Sequence, residues 1–127
     1  MVIRTLTSKL LRHFPVIDAA YAHQKRDYII AAVTFASVSI CMAFEASGSV
    51  WKQYALGCIA FVCLMGFLRG ETRDVRLQVA VAVAFTTIGE YVASVCMGGY
   101  TYRFDNVPAY VPLGHGMVYL TSIALAR

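Results

Sequence analysis

The sequence predicts an all-α integral membrane protein, a bundle of four transmembrane helices preceded by an N-terminal amphipathic surface helix. The composition is the first reason, because 59% of the residues are hydrophobic and only 14% are charged, against about 45–50% and about 25% in an average soluble domain. A chain of 127 residues cannot hide so much apolar surface in one soluble core. Four apolar stretches of spanning length and an alternating distribution of basic residues are the other two reasons.

The first segment, residues 1–27, is predicted to lie on the cytoplasmic side. Its apolar residues recur at three- and four-residue steps and so share one helical face: Val2, Ile3, Leu6, Leu10 and Phe14. Basic and hydroxyl side chains occupy the opposite face, which is typical of a helix lying in the headgroup layer. Pro15 is expected to end this helix. A mitochondrial targeting peptide is the alternative, because the stretch is basic and amphipathic and has no acid before Asp18.

The remaining residues, 28–127, are predicted to form the transmembrane domain. Its spans cover about residues 28–44, 51–68, 77–97 and 108–126. Each reaches the roughly 17 residues that a helix needs to cross the hydrocarbon layer. Arg127 follows the last span directly, a pattern that fits both a native terminus and a chain cut at a domain boundary.

The distribution of Lys and Arg predicts the orientation. Nine of the 11 basic residues flank one side of the four crossings, and only Lys52 and Arg103 flank the other. Because cytoplasmic loops are enriched in Lys and Arg, both termini are predicted to be cytoplasmic. The expected location is the cell (inner) membrane, with the mitochondrial inner membrane as the alternative.

Several classes of function lack support in the sequence. The net charge of +4 is explained by the membrane flanks, and no basic, aromatic surface of the kind that binds nucleic acid is evident. The four cysteines form no CxxC pair, so no metal site is predicted, and they are interpreted as small buried apolar residues. No phosphate-binding loop, nucleophile elbow or HExxH motif occurs, and no cofactor is predicted.

Glu90 is the most informative residue because it lies inside the third span. A charge at the bilayer centre costs about 2.5–3.5 kcal/mol on insertion scales, so intramembrane acids face protein or water and carry a function by default. Thr86 precedes it by one turn and is a candidate hydrogen-bond donor. A structural polar contact is the alternative interpretation.

His115 in the fourth span is the candidate partner of Glu90. It stands between Gly114 and Gly116, which allow a neighbouring backbone or ligand to approach closely, and Tyr119 follows on the same face. By residue count Glu90 and His115 lie at a similar depth, so a shared site is predicted. A histidine bonded to a backbone carbonyl is the alternative.

The loop between the third and fourth spans is rich in aromatic residues. Its Tyr and Phe residues, Tyr100 and Tyr102 among them, are typical of an aromatic belt at the membrane interface. Alternatively, Arg103 holds an anionic group and the two tyrosines flank it. Pro108 and Pro112 follow, and the start of the fourth span is expected to be irregular.

The last third of the chain resembles uncharacterised bacterial multispan membrane proteins. The resemblance rests on Glu90, the Gly-Tyr-x-Tyr loop at residues 99–102, Val-Pro at 107–108 and Gly-His-Gly at 114–116. It implies further spans after Arg127. The stretch also resembles, more faintly, the carotenoid-biosynthesis membrane proteins that include lycopene hydratases, although Gly-His-Gly is not part of that pattern. That resemblance implies that Glu90 protonates an isoprenoid double bond.

Three functions remain open at this stage. The first is a membrane protein that binds or modifies a lipophilic molecule at Glu90 and His115, with Tyr100, Tyr102, Arg103, Tyr119 and Thr86 as binding candidates. The second is a non-catalytic accessory subunit or assembly factor of a membrane complex, with a packing face at Ala31, Ala32, Ala36 and Ser37. The third is proton-coupled transport. The predicted partners are the lipid bilayer and other membrane subunits or copies of the chain, and whether the protein is an enzyme stays open.

Overall fold

A computed structural model describes residues 22–45 and 47–127 of the chain. The described part is helical and contains four α-helices: α1 (Lys25–Glu45), α2 (Val50–Leu68), α3 (Arg73–Glu90) and α4 (Tyr110–Ala126). The wider turn Tyr91–Cys96 continues α3 with π-helical hydrogen bonds. The predicted surface helix falls on residues 1–21 and lies outside the described residues.

Three of these helices are long and apolar enough to cross a membrane, as expected of a membrane protein. They are Lys25–Glu45, Val50–Leu68 and Arg73–Cys96, of 21, 19 and 24 residues. The fourth helix has 17 residues and is apolar, but it begins two residues later than the sequence predicted. The outer surfaces of α1, α2 and α3 expose large apolar side chains such as Phe35, Trp51 and Phe85, which suits contact with lipid rather than water.

Helix α4 lies at the centre of the bundle and packs against each of the other three helices. Its buried side chains Met117, Leu120 and Ile123 form the core together with Ile30 of α1, Leu64 of α2, and Val75 and Val79 of α3. The shortest helix is therefore the one most enclosed by protein. An interhelical hydrogen bond of 3.0 Å from the Thr121 hydroxyl to that of Thr34 adds a polar contact between α4 and α1.

Gly116 explains how α4 approaches its neighbours so closely. A Cβ atom at this position would lie 2.6 Å from Cγ2 of Val83 and 3.2 Å from Cδ2 of Leu64. Small residues at helix crossings permit such contact in membranes. Of the small residues predicted to form a packing face on α1, Ala31 and Ser37 are half-buried and Ala32 and Ala36 are exposed. Within the bundle, the buried residues of α1 are Asp27, Ile30 and Thr34.

The connection from α3 to α4 begins at a glycine in the left-handed region. Gly98 has φ +62°, a conformation that ends helices at low steric cost because glycine lacks Cβ. The expected irregularity at the start of α4 is not found. Pro112 is the third residue of a regular helix, where a missing N–H removes no intrahelical hydrogen bond.

Candidate functional site

Glu90 is held at the junction between the α-helical part of α3 and its π-helical turn. Such turns are frequent at functional sites because they locally rearrange the backbone hydrogen bonds. The carboxylate is largely enclosed, with 15% of the side chain exposed. We call Glu90 and the three side chains that surround it, Tyr100, Tyr102 and His115, the Glu90 site.

Two tyrosines from the α3–α4 loop donate to the same carboxylate oxygen. The Tyr102 hydroxyl donates to Oε2 of Glu90 over 2.7 Å, and the Tyr100 hydroxyl donates to it as well. Their rings pack edge to face, 5.6 Å between centroids. Burial and the hydrogen bond to Glu90 raise the pKa of Tyr102, and the hydrogen bond to Glu90 together with its charge raises the pKa of Tyr100. Both hydroxyls therefore stay protonated and available as donors.

His115 faces the other carboxylate oxygen of Glu90. Its Nε2 atom lies 3.8 Å from Oε1 of Glu90, and its Nδ1 atom lies 2.9 Å from the carbonyl oxygen of Val111. The carbonyl accepts, so Nδ1 carries a proton. Nε2 and Oε1 are too far apart for a hydrogen bond, and the two groups attract each other when the imidazole is protonated. The geometry thus places an acid and an imidazole side by side.

An apolar groove between α1 and α4 runs past His115. Its volume is about 230 Å³, and 46% of the His115 side chain is exposed. Gly114 leaves its wall open, because no atom lies within 4 Å of where a Cβ would stand. We call it the α1–α4 groove; its lining is Ser37, Val38, Cys41, Met42, Ala60, Tyr110, Val111, Gly114, His115, Met117 and Val118.

Three other predicted binding candidates lie apart from the Glu90 site. The Thr86 hydroxyl donates to the carbonyls of Ala82 and Val83 in its own helix rather than to Glu90. Thr86 and Tyr119 line a second groove of about 580 Å³ between α3 and α4. Arg103 points toward α1, where its Nη1 donates to the carbonyl of Glu45 over 3.2 Å.

The opposite end of the bundle holds an ionic cluster that sequence reasoning missed. Arg127 donates to Oδ1 of Asp27 over 2.5 Å and to Oε2 of Glu71 over 2.9 Å, and Arg26 pairs with Glu71. Burial alone would raise the pKa of Glu71, but hydrogen bonds from Arg127 and Arg26 and their charges outweigh it and lower the pKa. We call these four residues the Arg127 cluster. The sequence signal was charge at three helix ends that share one end of the bundle.

Among the residues described here, no group of three His, Cys, Asp or Glu side chains is placed to hold a metal ion.

No family model, no curated protein and no solved structure matches this chain.

Proposed function

We propose that this membrane protein binds a lipophilic molecule in the α1–α4 groove, with the Glu90 site holding or modifying the molecule beside it. The observation that carries the proposal is the position of His115. Its ring lines the groove and also lies within 3.8 Å of the Glu90 carboxylate. An apolar slot beside a small number of placed polar groups is the usual form of a ligand site.

The polar groups of the Glu90 site are suited to proton transfer. The imidazole of His115 lies 3.8 Å from Oε1 of Glu90, and two tyrosine donors on Oε2 stabilise the ionised carboxylate. A general acid or base needs such a partner within reach. The resemblance to carotenoid-biosynthesis proteins implies an isoprenoid ligand that receives the proton on a double bond. The proposal places both chain ends on the cytoplasmic face of the cell (inner) membrane, because the basic residues flank that side.

Lipids that co-purify with the protein test this function. Wild type, E90Q, H115A and T87V are purified in mild detergent, and the extracted lipids are compared by mass spectrometry with those of the host membrane. Thr87 is the matched control because it lies in the same helix, three residues from Glu90, and its hydroxyl donates to the carbonyl of Val83.

We expect one lipid class to be enriched with wild type and T87V and depleted with E90Q and H115A. Equal lipid profiles for all four proteins at equal recovery would refute the proposal.

A second candidate, an accessory subunit or assembly factor, is favoured by the outer surface of α3. Val81, Phe85 and Ile88 are exposed at four- and three-residue steps, the spacing at which a partner helix packs. Cross-linking in native membranes followed by purification tests it. A stoichiometric partner that is lost from F85A/I88A but retained by E90Q would favour the accessory-subunit function. Recovery of the wild-type protein without any partner would refute it.

A further inference from the structure

Tyr110 lines the α1–α4 groove one turn before Gly114 and has an unusual hydroxyl. The residue is 9% exposed, and its buried hydroxyl has no hydrogen-bond partner among the described residues. Most buried polar side-chain atoms have a partner, so each exception calls for an explanation. Tyr110 lines the groove, and a ligand oxygen there supplies the missing partner when the ring turns its hydroxyl from this buried position toward the groove.

We propose that the groove takes an uncharged lipid with one hydroxyl or carbonyl oxygen and that Tyr110 hydrogen-bonds this oxygen. The proposal rests on the proposed function, because it names the chemical class of the same ligand. It adds a binding residue that the sequence did not indicate.

The charges around the groove favour an uncharged ligand. An anionic headgroup would find only His115 in the groove lining, and Glu90 already faces that imidazole. Arg103 of the α3–α4 loop donates to the Glu45 carbonyl instead of facing the groove. A cationic headgroup would meet a carboxylate whose oxygens already face two hydroxyls and the imidazole. An unpaired charge in an apolar slot is costly.

The size of the groove favours one chain or one ring. Its volume of about 230 Å³ is below the roughly 300–1,000 Å³ of sites that enclose drug-sized ligands. The wall formed by α4 from Tyr110 to Val118 extends about 12 Å at the helical rise of about 1.5 Å per residue. The groove therefore accepts one end of a lipid while the rest stays in the bilayer.

Tryptophan quenching by brominated probes tests the ligand class. Trp51 lies outside the groove and is exposed, so wild type reports general partitioning into the micelle. The W51F/M42W variant moves the reporter to Met42 in the groove lining. Each protein is titrated in detergent with 6-bromododecanol, 6-bromododecanoate and a 6-bromododecyl trimethylammonium salt, whose bromine lies within the length of the groove.

We expect saturable extra quenching of the W51F/M42W reporter by bromododecanol only. The two charged probes should quench both reporters alike. Equal or stronger saturable quenching by a charged probe would overturn the ligand class and leave the proposed function standing. Absence of saturable quenching by every probe would overturn both.

The Y110F variant tests the role of the hydroxyl in the same reporter background. Loss of one hydrogen bond should weaken bromododecanol binding about 2- to 13-fold. The same variant should raise the unfolding midpoint of the probe-free protein, because it removes a buried hydroxyl without a partner. Y54F, a tyrosine on the exposed face of α2, is the control and should change neither. Unchanged affinity in Y110F would remove Tyr110 from the site.

Discussion

The two ends of the bundle use similar chemical groups in opposite ways. In the Arg127 cluster, two carboxylates that are 1% and 2% exposed face two arginines from different helix ends. In the Glu90 site, one carboxylate faces two neutral hydroxyls and one imidazole. Arginine stays protonated at every accessible pH, whereas imidazole gains and loses a proton near neutrality.

This difference in charge pairing separates the structural roles of the two ends of the bundle. The Arg127 cluster pairs two carboxylates with two arginines and ties α1, the α2–α3 loop and α4 together. The Glu90 site places one carboxylate near one imidazole and stands beside an apolar groove. The first arrangement holds helices in place, and the second is the one on which the proposed function rests.

Replacing Arg127 by Gln should have the largest effect on stability. The change leaves the buried carboxylates of Asp27 and Glu71 without their shared cation, and breaking a buried ion pair costs about 3–5 kcal/mol. Reversible unfolding in mixed micelles measures this loss. R103Q is the control at the other end and should cost about 1 kcal/mol or less, since Arg103 is exposed and donates to a backbone carbonyl. Equal losses of unfolding free energy in R127Q and R103Q would contradict the assignment of a buried ion pair to Arg127.

The two glycines beside His115 should respond in opposite directions to alanine. G116A places a Cβ 2.6 Å from the stiff side chain of Val83, and overpacking of this kind costs about 1–3 kcal/mol. G114A meets open space in the groove and should stabilise the helix by up to about 1 kcal/mol. Thermal unfolding of the two variants distinguishes the packed face of α4 from its groove face. If G114A were destabilised instead, another part of the protein would have to pack against the groove face of α4.

Acid should weaken the Arg127 cluster. The pKa of Glu71 is lower in the folded protein than its ordinary value of about 4.3. Its contribution to stability is therefore present above about pH 4.3 and lost as the pH falls through the lower, folded pKa. One proton gives a slope of at most about 1.4 kcal/mol per pH unit. Unfolding free energies measured between neutral pH and pH 3 should fall less steeply for E71Q than for wild type, and identical slopes would be evidence against this linkage.

Removing the tyrosine donors should have the smallest effect on stability. Y102F deletes a half-buried donor to Glu90 and should cost about 1 kcal/mol. Y100F should cost less, because that ring is more exposed to solvent. Unfolding free energies give the order, and hydrogen exchange of the α3–α4 loop shows whether the loop loosens. If Y100F lost more unfolding free energy than Y102F, Tyr100 rather than Tyr102 would be the more stabilising donor to Glu90.

The positions of α1, α2 and α3 were predictable because their signal is local. An apolar run must bond its backbone internally in a bilayer, and a helix is the available solution. The structure confirms three helices of spanning length, and their ends differ from the predicted spans by a few residues. The fourth helix is shorter than predicted because Pro108 and Ala109 belong to the loop.

The proximity of Glu90 and His115 could also be anticipated. Residue count from the shared loop places them at similar depth on consecutive antiparallel helices, and the structure brings them to 3.8 Å. The partners of Thr86, Arg103 and Tyr119 could not be anticipated. They depend on how each helix is rotated about its own axis, and neighbouring side chains decide that rotation.

By itself the sequence determined the helical spans, their alternating direction and the rarity of an acid within them, because hydropathy and backbone hydrogen bonding act along the chain. Only the tertiary structure decided which charges meet. Asp27 and Arg127 are 100 positions apart and pair at one end, whereas Arg103 lies near the Glu90 site in sequence and turns away from it. The packing around the central α4 decides these contacts. The close contact at Gly116 fixes the rotation of α4 about its axis, and this rotation turns His115 toward Glu90 and Gly114 toward the groove.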